Sequence, residues 1–109
     1  MLIYEITATV DTDIASEYEK YMTEQHIPDL LATGHFAAAF FAKNGSQYRI
    51  GYHADSQEHL DAYLAIDADR LRADFAMHFP DGIELSRQVL EIVRLFPSPE
   101  SDNLITCSF

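Results

Sequence analysis

The sequence predicts an α+β domain with elements in the order strand, helix, strand, strand, helix, strand. Three observations carry this reading. The chain opens on a run of strict apolar alternation, two stretches have helical periodicity, and an Asn-Gly pair lies between two β-rich runs. The length, 109 residues, fits one domain. Hydrophobic residues at 48% and charged residues at 23% are enough for a packed core and argue against disorder.

The first strand is read from Leu2 to Val10. Leu2, Tyr4, Ile6, Ala8 and Val10 share one parity, while Glu5, Thr7 and Thr9 share the other. Asp11-Thr12-Asp13 then suits a helix cap. Ile14, Tyr18, Tyr21, Met22 and Gln25 recur at three- and four-residue spacing. Pro28 lacks an N–H and clashes one turn back, so a kink or restart is expected near His26-Ile27. Gly34 is the expected stop.

Residues 35–43 are alanine-rich, but their aromatic content and the following Asn44-Gly45 favour a strand with a hairpin return over 47–54. Asp55, with Glu58 three residues on, resembles a capping box. Leu60, Tyr63, Leu64, Leu71, Phe75 and His78 trace the next helix, with a bend expected near 67–69. The last strand is read from Ile83 to Phe96. Ile83, Leu85, Val89, Val93 and Leu95 fall on one parity, and Leu90, Ile92 and Phe96 on the other. Either a bulge switches the faces or both faces are covered, and a second subunit would cover the outer one.

This order is the split βαβ arrangement: a ferredoxin-like antiparallel sheet with two helices on one face. The domain is expected over 1–96. A polar linker begins at Pro97, and the tail 97–109 ends in an apolar run that either docks as a strand or frays.

Ile3-Tyr4-Glu5-Ile6-Thr7, the stretch from Tyr21 to Phe36 with His26-Ile27-Pro28, Tyr48-Arg49-Ile50 and Leu71-Arg72 together resemble a family of short bacterial proteins. That family is catalogued as a domain of unknown function within the dimeric α+β barrel superfamily. The resemblance implies half of such a barrel, and hence a homodimer, without implying an activity. Other members of the superfamily act as monooxygenases, isomerases or decarboxylases.

Charge and motifs exclude several classes. Eighteen acids against seven Lys and Arg give a net charge of −11, which repels nucleic-acid phosphates and anionic membranes. Met1-Leu2-Ile3-Tyr4-Glu5 lacks a basic n-region, and no apolar run is long enough to cross a bilayer, so a cytoplasmic protein is expected. Cys107 is the single cysteine and has no CxxC partner. There is no GxSxG, no Cys/His arrangement and no glycine-rich phosphate loop, and no nucleotide cofactor is expected.

Five histidines, at 26, 35, 53, 59 and 78, show no metal-ligand spacing, so no metal is expected. His26, close to Pro28, is either a general base, or a ring that caps the broken turn or packs against the sheet edge. Arg49 and Arg72 each either grip a ligand carboxylate or pair with an acid of the chain. Tyr4, Tyr18, Tyr21, Tyr48, Tyr52 and Tyr63 come from strands and helices that could meet in one cleft suited to an aromatic ligand, or pack as core. The expected ligand contacts are Arg49, Tyr52, Tyr63, Arg72 and His78. Two functions follow. One is a dimer that binds a small molecule between helices and sheet. The other is a cofactor-independent enzyme, monooxygenase- or isomerase-like, acting on an aromatic or carboxylate substrate.

Overall fold

A computed structural model describes residues 1–99. Strand β1 spans Leu2–Val10 and a 3₁₀ turn covers Thr12–Ile14. Helix α1 spans Ala15–Tyr21, a π-helical turn covers Met22–His26, and α2 spans Ile27–Ala32. Strands β2 (Ala38–Asn44) and β3 (Gln47–Ala54) form the hairpin. Helices α3 (Gln57–Ile66) and α4 (Ala68–His78) precede β4 (Ile83–Glu91). The sheet order is β2-β3-β1-β4, with every pairing antiparallel. This is the ferredoxin-like α+β arrangement.

Parity sorts the sheet into two faces. Tyr4, Ile6 and Ala8 of β1 lie opposite Tyr52, Ile50 and Tyr48 of β3. These residues join Tyr18, Leu30, Leu60, Tyr63 and Leu71 in one core, so both helical stretches cover the same face. The opposite face carries Glu5, Arg49 and Gln88, together with Phe40 lying over Gly51.

Several local expectations change. The helix does not break at Pro28. Tyr21, Met22, His26 and Ile27 all keep right-handed helical angles. The Ile27 N–H donates to the Met22 carbonyl, five residues back. Proline's missing donor is therefore accommodated by a widened turn rather than a kink. His26 accordingly caps nothing. Asp11 makes no side-chain cap either.

The hairpin loop is Gly45-Ser46 rather than Asn44-Gly45, because Asn44 already pairs with Gln47. Gly45 takes φ +62°, which suits the first position of a two-residue loop. Strand β2 begins at Ala38, not residue 35, since the chain first turns inward to bury Phe36 against Tyr63 and Tyr52. Ser56, not Asp55, caps α3, accepting a hydrogen bond from the His59 N–H. The expected bend falls at Asp67, which accepts from Arg70 and meets His35 Nε2 at 2.9 Å.

Strand β4 stops at Glu91, and its register against β1 runs unbroken, so no bulge switches its faces. Leu85 and Val89 on the helix side and Leu90 on the other are all partly exposed in the single chain. Val93, Leu95 and Phe96 beyond the strand are also exposed. Cys107 and the terminal run 104–109 lie outside the described residues.

Candidate functional site

Six tyrosines supply much of the core, and between them and the helices the packing leaves a gap. A cavity of about 260 Å³ lies there, lined by residues of β1, α1, the π turn, α2, β3, α3, α4 and β4. Its buried wall includes Tyr18, Leu30, Ile50, Tyr52 and Tyr63. Its exposed lining residues are Arg72 and Ala76 of α4 and Leu85 and Arg87 of β4. The mouth therefore opens between α4 and β4, where the edge strand runs past the helices.

Two buried polar atoms of lining residues have no hydrogen-bond partner, His26 Nδ1 and the Tyr52 hydroxyl. Buried polar groups are nearly always satisfied in folded proteins, and a ligand is one way to satisfy them. The His26 ring packs against Phe75 and Tyr21, at centroid distances of 5.4 and 5.7 Å. Burial holds its pKa down to about 4, with Asp29 and Asp74 opposing the shift and Arg87 and His78 reinforcing it. The imidazole is neutral at pH 7, so one ring nitrogen accepts and the other donates.

Burial also raises the tyrosines. The Tyr52 hydroxyl is held well above the usual phenol range, and Tyr63 is pushed up to about 12. Both stay protonated and can donate. Arg72 Nη2 donates to the Tyr4 hydroxyl at 2.9 Å. That bond, outweighing partial burial, raises the Arg72 pKa further and keeps the side chain charged.

The residues expected from sequence divide cleanly. His26, Tyr52, Tyr63 and Arg72 all line this cavity. Arg49 lies on the other face of the sheet, 3.8 Å from the buried Glu5 carboxylate, which also accepts from Gln88 at 2.7 Å. His78 lies outside the lining and stacks on Tyr21 at 4.3 Å. Strand parity separates Arg49 from Tyr48, Ile50 and Tyr52, so one strand cannot aim both sets at one cleft.

Sequence reasoning missed Arg87. Its signal was available: it shares the parity of Ile83, Leu85 and Val89, a cation set within an apolar row. Among the described residues no three His, Cys, Asp or Glu side chains come together to hold a metal. No helix there is long and apolar enough to cross a membrane.

Residues 1–93 match the family described as Domain of unknown function (DUF4286). The chain belongs to the DUF4286 family. The DUF4286 fold has counterparts among solved structures. A candidate antibiotic biosynthesis monooxygenase from Deinococcus radiodurans matches with a TM-score of 0.66 at 14% identity, over 90% of this chain and 98% of that one. The protein Rv0793 of Mycobacterium tuberculosis matches with a TM-score of 0.60 at 12% identity, over 87% and 98%. A protein from Agrobacterium tumefaciens matches with a TM-score of 0.58 at 18% identity, over 87% and 97%. At such identities the likeness establishes the DUF4286 fold alone. No protein of curated function matches this sequence.

Proposed function

We propose that this DUF4286 protein binds a small, largely aromatic molecule in the cavity between its helices and sheet, and does so as a homodimer. The observation that carries the binding reading is the pair of unpartnered buried atoms, His26 Nδ1 and the Tyr52 hydroxyl, on residues lining one aromatic cavity. An engineered cavity of about 150 Å³ takes benzene. A cavity of about 260 Å³ leaves room for a single substituted ring.

The dimer is supported by the partly exposed apolar residues Val89 and Leu90 on the two faces of β4, outside the cavity lining, with Val93, Leu95 and Phe96 beyond them. Sedimentation at micromolar concentration should give about twice the 12.4 kDa chain mass. A single species of chain mass would remove the dimer.

For binding, the ¹⁵N-labelled full chain is titrated with a panel of neutral phenols and aromatic carboxylates. Shifts at Leu30, Ile50, Tyr52 and Tyr63 are expected with at least one of them. A panel that leaves all four unmoved overturns the reading.

A second reading is a cofactor-independent enzyme, monooxygenase- or isomerase-like, with His26 as general base. It is favoured by the neutral imidazole lining the cavity, which can accept a proton from a phenol or a carbon acid. The candidate monooxygenase from Deinococcus radiodurans supports it only through shared fold. Under this reading His26→Gln abolishes turnover while binding persists. Turnover undiminished by His26→Gln would assign the base elsewhere.

A further inference from the structure

The cavity is chemically unlike the rest of the molecule. The chain carries eighteen Asp and Glu against seven Lys and Arg. Yet no carboxylate lines this cavity, and two arginines, Arg72 and Arg87, do. Three of the other five cations are matched: Lys43 meets Glu19 at 2.8 Å, Arg70 meets Asp67 at 2.9 Å, and Arg49 meets Glu5 at 3.8 Å, while Arg94 lies over the Phe96 ring outside the cavity. Arg72 instead donates to a neutral hydroxyl, that of Tyr4. Among the described residues no carboxylate comes within ion-pair distance of Arg72 or Arg87.

We propose that the cavity selects a small aromatic monoanion, a ring bearing a carboxylate or an acidic enol, with Arg72 and Arg87 at the mouth reading its charge. This rests on the binding reading above and adds the chemical class of the ligand. The two arginines stand on α4 and β4, the two elements that frame the mouth. An anion entering there meets two guanidiniums whose remaining N–H groups are not committed to acids, while the ring passes inward to the aromatic wall. The positive field of Arg87 already reaches inward, adding to the burial that lowers the His26 pKa and partly opposing the burial that raises that of Tyr63. Guanidinium matches carboxylate geometry with paired N–H donors, which a point charge does not. In a molecule of net charge −11, a local cationic site with no carboxylate in its lining also offsets the general repulsion of anions at close range.

The test compares isosteres of opposite charge behaviour, benzoate against benzamide and 4-hydroxybenzoate against 4-hydroxybenzamide, by NMR titration of the full chain at pH 7. Each carboxylate should bind at least about tenfold tighter than its amide, the factor expected of a charged hydrogen bond. Arg87→Gln, which breaks no ion pair or side-chain hydrogen bond among the described residues, should reduce that ratio several-fold. Arg72→Lys keeps a charge but loses the paired geometry and should give an intermediate ratio. Equal binding of acid and amide, or a ratio that survives both substitutions, overturns the charge selection and leaves the binding reading standing. Failure of all four compounds to shift cavity resonances overturns both.

Discussion

The Arg72 guanidinium and the Tyr4 hydroxyl, sixty-eight residues apart, share a 2.9 Å hydrogen bond that joins α4 to the central strand. The Tyr4 ring packs in parallel with Phe36 at 6.3 Å, so its position does not depend on the hydroxyl alone. Tyr4→Phe should therefore keep the fold and lose about 1 kcal/mol, a modest figure because Arg72 is solvent-exposed and can rebind water. Urea denaturation measures this. A loss beyond about 3 kcal/mol would mean the bond is holding the helix against the strand.

His26 makes stability depend on pH. Its folded pKa of about 4 lies below the ordinary 6.5 because the ring is buried. The unfolded chain therefore binds the proton more readily between those values, and protonation favours unfolding. The stability His26 contributes is fully present above about pH 7 and is lost as pH falls towards 4. The loss across that window is on the order of 3 kcal/mol. Denaturation of the wild type and of His26→Gln at pH 7 and pH 4.5 separates this from the carboxylates. The variant should show a shallower fall, and parallel curves would show that His26 does not titrate as described.

Ser56 and Asp55 compete for the start of α3 in sequence, but only Ser56 accepts from the His59 N–H. Ser56→Ala should cost about 1 kcal/mol, and Asp55→Ala about 0.5 kcal/mol or less. The reverse order in thermal unfolding would restore the capping box to Asp55.

On the sheet face away from the helices, the Phe40 ring lies directly over Gly51. A methyl at position 51 would meet that ring, so Gly51→Ala displaces it. Phe40 is 41% exposed and can swing outward, which limits the expected loss to about 1 kcal/mol. With Phe40 already replaced by Ala, the same change should be neutral or stabilising, because glycine weakens a strand interior. A double-mutant cycle reads the difference, and additive effects would mean the two residues do not touch.

The fold was legible because its signals are local and periodic. Parity in Leu2 to Val10 named the buried face of β1, and the stripe from Leu60 to Phe75 named the helix that covers it. The misplacements were also local in cause. Pro28 breaks a helix only if its missing donor cannot be absorbed, and whether a π turn forms depends on packing around Met22 and Tyr21. Strand β2 starts late because Phe36 finds a core pocket between Tyr52 and Tyr63, a contact invisible from its neighbours in sequence.

Sequence alone determined the α+β class, the element order, the acidic surface and the suspicion attached to His26, Tyr52, Tyr63 and Arg72. Tertiary structure decided which of the charged candidates can act together. Arg49 and Tyr52 are three residues apart, but a strand's two-residue period sends them to opposite faces. Arg72 and Arg87 are fifteen apart on different elements, yet both line one mouth, because the sheet order sets β4 at the edge beside β1 and leaves the gap towards α4 open. Periodicity is written in the chain residue by residue. The convergence of distant side chains depends on how the layers stack, and that is settled only when the core packs.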